Sequence, residues 1–184
     1  MSIESEPRPA TEKDLWDLLQ SLADHQVDYV LIGGQALALH GFARGTEDID
    51  LLLPIDSVNG QKVIDALSIL PDKAAKEVEP EWLAEEGTVR VADEIVVDLM
   101  TVAANGETYE SLKPHIQRQE KDGFGYYLLD VEGLIKTKQS VRPKDQQDLL
   151  VLRKMLDRQR SLRIPKKEPK KEAKKDRSDP GIGI

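Results

Sequence analysis

Two aspartates one residue apart in an apolar segment are the residues whose type and spacing point most directly to chemistry. Asp48 and Asp50 begin the run Asp-Ile-Asp-Leu-Leu-Leu, whose aliphatic residues predict a buried β-strand. Because side chains alternate between the two faces of a strand, both carboxylates point the same way, with Cβ atoms about 6–7 Å apart. Such a pair resists desolvation, and a divalent cation such as magnesium, which keeps substrate phosphates in its shell, removes that conflict. The pair therefore favours phosphate transfer, although an isolated Asp-x-Asp is more often a strand end that meets water.

A third carboxylate lies in a later apolar run. Asp98 interrupts the segment of residues 94–100, where an unpaired carboxylate is costly and needs a cation or a hydrogen-bond donor. One interpretation is a salt bridge to Arg44 or Arg90. The other is that Asp98 lies beside the aspartate pair as the third acidic residue of one site.

The elements that must position the aspartate pair are a strand, a glycine turn and a short helix that precede it. Residues 29–32 are apolar and predict a buried strand. Gly33 and Gly34 follow, and they let the backbone turn sharply and approach a ligand closely. Residues 35–42 then supply about two helical turns. Taken alone, paired glycines after an apolar run are most often only a turn.

The remaining sequence predicts further helices and strands around these elements. A capping box at Thr11 predicts a first helix, and residues 57–70 predict a helix between two strands. This strand–helix–strand order is typical of a mixed α/β sheet. The second half predicts a hairpin of residues 88–91 and 94–100, a loop with a short helix over residues 103–119, and a final strand at residues 126–129 before a helix capped by Asp130.

Three basic residues gather at the corner between the last two predicted helices. Lys138 ends one helix, Arg142 precedes the next, and Lys144 lies in its first turn. Cations near an aspartate cluster neutralise the triphosphate charge that metal ions leave uncompensated. The alternative is a solvated basic corner that Asp145 and Asp148 balance.

Together these motifs resemble the signature of the DNA polymerase beta-like nucleotidyltransferase superfamily. The resemblance covers residues 27–156 and is carried by Gly33-Gly34, the short helix, Arg44-x-Thr46-x-Asp48-x-Asp50 and the apolar strand that follows. Within the superfamily the chain looks like the minimal bacterial nucleotidyltransferases that include abortive-infection toxins. Their C-terminal motif is similar to Leu-Ile-x-x-Lys138 followed by Arg142-x-Lys144-Asp145-x-x-Asp148. Gly34 is a departure, since many members of the superfamily have Gly-Ser at this position.

The resemblance implies an α/β (α+β) nucleotidyltransferase fold, with a small mixed β-sheet flanked by helices. It implies transfer of a nucleoside monophosphate from a nucleoside triphosphate to a hydroxyl, with release of pyrophosphate. Two magnesium ions would be held by Asp48, Asp50 and Asp98, and Asp98 would act as the general base. The residues implied to bind the nucleotide are Gly33, Gly34, Arg44, Thr46, Lys138, Arg142 and Lys144.

The acceptor and the partners stay open on the sequence. The acceptor hydroxyl belongs to RNA, to a protein or to a small molecule, and a toxin–antitoxin type protein would also have a cognate antitoxin or toxin partner. The alternative class is a non-catalytic nucleotide-binding or partner-binding module of the same fold. The three intact carboxylates favour the enzyme, because a binding module has no need to bear their repulsion.

Composition and charge predict one domain and exclude several kinds of site. The 184 residues contain no cysteine, which excludes disulfides and thiolate metal sites, and no apolar stretch has the length of a membrane span. We therefore expect a cytoplasmic protein without membrane contact. Residues 11–160 predict the domain, between a disordered N-terminus (residues 1–10) and a disordered lysine-rich tail (residues 161–184). Residues 153–177 contain twelve Lys or Arg against four Asp or Glu, and the rest of the chain contains fourteen against thirty. The acidic body of the chain argues against broad electrostatic capture of nucleic acid by the domain itself.

Overall fold

One mixed six-stranded sheet organises the molecule. The computed structural model describes residues 6–43 and 45–163; Arg44, residues 1–5 and most of the predicted tail, residues 164–184, lie outside the described residues. The strands, in chain order, are β1 (Val30–Ile32), β2 (Asp48–Leu52), β3 (Thr88–Ala92), β4 (Val96–Met100), β5 (Ile116–Lys121) and β6 (Phe124–Leu129). Their order across the sheet is β3-β4-β2-β1-β6-β5. The pairs β2–β4 and β1–β6 are parallel and the others antiparallel, which confirms the predicted mixed sheet.

Helices flank this sheet as predicted. They are α1 (Glu12–Asp24), α2 (Gly33–Leu39), α3 (Ser57–Ala66), α4 (Tyr109–Leu112), α5 (Val131–Thr137) and α6 (Pro143–Arg163). Thr11 and Asp14 form the predicted capping box of α1. The Asp130 carboxylate accepts from the Gly133 amide and so caps α5, as the sequence indicates. None of the helices in residues 6–43 and 45–163 combines the length and apolar character that a membrane crossing requires.

The hydrophobic core lies on the face of β2 and β4 that the aspartates do not use. Ile49 and Leu51 alternate with the aspartates of β2, and their register partners on β4 are Val97 and Leu99. All four side chains are fully buried and join the leucines of α1 in one cluster. Burial of this apolar face fixes the strand register, because a slip of one residue would exchange the aspartates with the core residues.

The structure corrects the sequence-based prediction over residues 103–119. The short helix is present as α4 and one following 3₁₀ turn, but the residues after it form the edge strand β5, which pairs with β6. Four consecutive residues of β5 are exposed, from Gln117 to Glu120. An edge strand that lies so far in solvent lacks the alternating apolar pattern by which a strand is predicted from sequence.

The segment before α1 runs across the entrance of β2 and β4. The Arg8 amide donates to the Glu94 carbonyl at 2.9 Å, and the Ala10 amide donates to the Glu47 carbonyl at 3.0 Å. The Arg8 guanidinium also pairs with Asp14 at 2.7 Å and with Glu94 at 3.2 Å. Residues 8–10 therefore tie together the ends of the two strands that carry the three aspartates.

Candidate active site

The three aspartates share one face of the sheet. Asp50 on β2 and Asp98 on β4 are direct register partners in the parallel pair, and Asp48 lies two residues before Asp50 on the same strand. Paired residues on neighbouring strands point to the same face, as do residues two apart on one strand. The parallel pairing of β2 with β4 thus gathers the three carboxylates in one row.

A cavity of about 950 Å³ covers this row, a size suited to a nucleotide-sized ligand. Its wall includes nine of the residues that the sequence suggests for the site: Gly33, Gly34, Thr46, Asp48, Asp50, Asp98, Lys138, Arg142 and Lys144. The other suggested residue, Arg44, lies outside the described residues. The two glycines that begin α2, the strand pair β2–β4 and the α5–α6 corner therefore meet around one space.

Sequence reasoning missed the less polar part of the cavity wall. Beyond Asp98 this wall consists of Met100, Val102, Ala103 and Ala104. Met100 could have been found, because it lies two residues after Asp98 and a strand brings such residues to the same face. The loop residues that follow carry no periodic pattern from which their position could be read.

The glycine turn lies directly against the carboxylate row. Gly33 has φ +68, and a Cβ atom built on it would lie 1.9 Å from Oδ2 of Asp50. A Cβ atom on Gly34 would lie 2.6 Å from Oγ1 of Thr46. Both glycines are therefore required by close approach to β2 and the segment before it, in addition to the turn that the sequence predicts.

We expect Gly33→Ala to destabilise the fold by about 3 kcal/mol, because the new methyl group both strains the backbone and displaces the Asp50 carboxylate. Gly41→Ala is the matched control: Gly41 has φ +91 but has open space around its Cβ position, so about 1 kcal/mol is expected. Urea unfolding of both variants measures the difference. Equal losses would contradict the close contact.

Burial and nearby negative charge raise the pKa values of Asp50 and Asp98. The pKa of Asp50 is raised to about 6, first by burial and then by the charge of Asp98, and the cation of Lys138 opposes both. Burial also raises the pKa of Asp98. Oδ1 of Asp98 is buried and has no hydrogen-bond partner among the described residues. A row in this state is suited to gain a cation or a proton.

An arginine on the neighbouring strand bridges two of the aspartates. Nη2 of Arg90 lies 2.7 Å from Oδ2 of Asp48, and its Nη1 lies 3.4 Å from Oδ2 of Asp98. Both interpretations of Asp98 made from the sequence therefore hold together: it lies beside the aspartate pair, and it has a salt bridge to Arg90. The contact of Arg90 with Asp48 was not predicted.

The basic corner differs from either interpretation of the sequence. Lys138 is only 8% exposed, and its Nζ lies 3.2 Å from Asp145 and 3.1 Å from Asp148. Arg142 also pairs with Asp145, at 2.8 Å. The corner is balanced by the two aspartates, as the alternative supposed, but Lys138 is buried rather than solvated. Arg142 and Lys144 are the exposed cations among the described residues at this edge of the cavity.

The donor set suits magnesium that shares its ligands with a substrate. Among the described residues, no three histidine, cysteine, aspartate or glutamate side chains converge closely enough to enclose an ion by themselves. Magnesium usually takes one or two protein carboxylates and completes its shell with water and substrate phosphates. Two carboxylates can supply such ligands: that of Asp98, whose Oδ1 has no hydrogen-bond partner among the described residues, and that of Asp50, whose pKa is raised. The residues present therefore fit the ion.

Fold and site together define a mixed α/β domain with an aspartate row, a glycine turn and a basic corner around one cavity. A family model described as "Nucleotidyltransferase of unknown function (DUF6036)" matches residues 13–159, and the chain belongs to this family. A solved structure from Thermotoga maritima, described as a "putative nucleotidyltransferase", is 17% identical with a TM-score of 0.46 and covers 84% of this chain and 94% of that one. The family membership rests on the match of residues 13–159 to the family model. The comparison with curated proteins gave no match.

Proposed function

We propose that this protein is a metal-dependent enzyme that transfers a nucleoside monophosphate from a nucleoside triphosphate to a hydroxyl acceptor. The observation that carries the proposal is the row of Asp48, Asp50 and Asp98 on one face of the sheet, under a cavity that also receives the basic corner. Membership of a nucleotidyltransferase family supports the same class of reaction.

In this proposal Asp48, Asp50 and Asp98 hold magnesium, two ions being expected. When bound, the metal supplies Lewis acidity, which neutralises phosphate charge and activates the acceptor hydroxyl. Asp98 takes the proton of that hydroxyl, a role that suits its unpartnered buried oxygen. The hydroxyl oxygen forms the new bond to the α-phosphorus, the bond to the bridging oxygen breaks, and pyrophosphate leaves with that electron pair.

The remaining residues of the cavity wall bind the triphosphate. Lys144 and Arg142 are exposed at the edge of the cavity and compensate phosphate charge. Gly33 lies against Asp50, and Gly34 lies against Thr46. In this proposal the amides of both glycines would hold the β- and γ-phosphates, with Thr46 beside them. Lys138 acts from a buried position, since its charge reaches Asp50 across the cavity.

The test is incubation of the protein with each α-labelled nucleoside triphosphate, magnesium, total RNA and cell lysate. We expect label on RNA, on protein or on a small molecule, and the labelled fraction identifies the acceptor class. Asp48→Asn/Asp50→Asn should lose all label, whereas Asp65→Asn, an exposed carboxylate on α3, should keep it. Label that persists in the double variant would contradict the proposed site.

A second candidate is a non-catalytic nucleotide-binding or partner-binding module. The salt bridges of Arg90 to Asp48 and Asp98 favour it, because they compensate part of the row's negative charge without a metal. Magnesium-dependent nucleotide binding by calorimetry, without label on any fraction, would support this candidate. A toxin–antitoxin role predicts in addition that expression arrests growth and that a cognate partner relieves the arrest.

A further inference from the structure

Arg90 occupies the carboxylate row from the side of the sheet edge. It is the register partner of Asp98 on β3, so Asp50, Asp98 and Arg90 form one line across three strands. From there its guanidinium contacts one oxygen of Asp98 and one oxygen of Asp48. One cation thus holds two of the three carboxylates that the proposed function assigns to the metal.

The position of Arg90 allows it to leave the row without disturbing the core. Its strand is the edge of the sheet, and its side chain is 56% exposed. The two carboxylates are less exposed, at 29% for Asp48 and 13% for Asp98. A long, exposed and flexible side chain that holds two more buried acids is a displaceable partner, because its release needs only a change of rotamer.

A guanidinium and a divalent cation compete for this row. Arg90 already holds two of the three carboxylates that the proposed function assigns to the metal. A metal ion at the row would also lie within a few ångströms of the arginine charge, where the repulsion is substantial. A bound triphosphate changes this balance. Its oxygens complete the metal shell, and its charge gives the guanidinium an alternative partner with favourable bidentate geometry.

We propose that Arg90 is an internal counterion of the aspartate row, which keeps free metal out and yields to metal that arrives with a nucleotide. In the protein without nucleotide, Arg90 holds Asp48 and Asp98. Metal and nucleotide then bind with positive coupling, since each removes an obstacle to the other. This inference rests on the proposed function, and it adds the residue that couples the binding of metal to the binding of nucleotide.

The test is a calorimetric titration of Mn²⁺ into the nucleotide-free protein. Mn²⁺ prefers oxygen ligands and serves as the probe for the magnesium site. We expect Arg90→Gln to bind Mn²⁺ about tenfold more tightly than the unchanged protein, and Arg90→Lys to stay close to it because the charge remains. When the titration is repeated with a bound non-hydrolysable triphosphate, the difference in Mn²⁺ affinity between Arg90→Gln and the unchanged protein should be smaller. The nucleotide has then already displaced the arginine.

Arg118→Gln is the matched control. Arg118 lies on β5, the opposite edge strand, and is an exposed arginine with an ion pair to Glu120. This variant should bind Mn²⁺ like the unchanged protein. Equal or weaker binding by Arg90→Gln overturns the inference and leaves the proposed function standing. Absence of Mn²⁺ binding in every variant, with the triphosphate analogue present, overturns both.

Discussion

Asp50→Asn is expected to lower nucleotide transfer by at least about a thousandfold and, at neutral pH, to make the folded protein more stable. The two effects have one cause. Asp50 is held as a partly buried charge next to Asp98, so its pKa rises from the usual 3.8 to about 6. That shift corresponds to roughly 3 kcal/mol of destabilisation when the group is ionised. Asparagine keeps the shape and removes the charge.

The gain should depend on pH. Because the pKa of Asp50 is raised in the folded state, its contribution favours folding below about pH 4 and is lost as the pH rises through about 6. The stability difference between Asp50→Asn and the unchanged protein should therefore be small near pH 4 and reach its full value above about pH 7. Urea unfolding at several pH values measures this difference.

The comparison must be between variant and unchanged protein at each pH, because other carboxylates change the free energy of unfolding with pH in the opposite sense. Burial would raise the pKa of Asp145, but hydrogen bonds from Ser140 and Arg142 and the charge of Lys138 hold it below its usual value. Asp65→Asn, on the exposed side of α3, is the control and should leave the pH profile unchanged. If Asp50→Asn were less stable than the unchanged protein at neutral pH, the charge of Asp50 would not be destabilising the fold.

Lys138→Met is expected to destabilise the fold by about 3–5 kcal/mol. Lys138 lies between Asp145 and Asp148, each only 2% exposed, and all three belong to the packed corner of α5 and α6. Methionine preserves most of the volume but withdraws the ammonium group from both buried carboxylates. Thermal and urea unfolding should both report the loss.

Lys144→Met separates this structural role from nucleotide binding. Lys144 is exposed and lines the same cavity, so its loss should change the unfolding free energy by less than about 0.5 kcal/mol. Nucleotide affinity should nevertheless fall several-fold, because in the proposed function this exposed cation compensates the charge of the triphosphate. If Lys138→Met kept full stability and lost only nucleotide affinity, Lys138 would be a simple ligand contact.

The sequence predicts the individual strands of this site better than it predicts which strands pair with each other. Alternation in Asp48-Ile-Asp50 indicates which side chains share a face, and that information is local. Asp98 is recognisable as an unusual carboxylate within an apolar run. Its position beside Asp50 depends on the parallel pairing of β2 with β4, which no local pattern specifies. The family resemblance, rather than periodicity, implied that neighbourhood.

Burial at the basic corner could not be read from the sequence for a related reason. The order Lys138, Arg142, Lys144 predicts a cluster of cations, and the aspartates of α6 predict that the cluster is balanced. Whether a lysine lies in solvent or beneath a helix depends on how α6 packs against α5, and that angle is set by the apolar residues of both helices. The sequence sign of the buried arrangement is that two carboxylates, Asp145 and Asp148, follow Lys138 near the start of the next helix.

The long-range origin of the aspartate row bears on when the candidate site forms during folding. The β3–β4 and β5–β6 hairpins join neighbouring segments, whereas β2 must meet β4, and β1 must meet β6, across long stretches of chain. Pairings between distant segments bear a larger loop-closure entropy and form later. A nascent chain therefore has no binding site until its sheet is nearly complete. Nucleotide and metal should accordingly slow unfolding and protect the mature protein from proteolysis, without accelerating its folding.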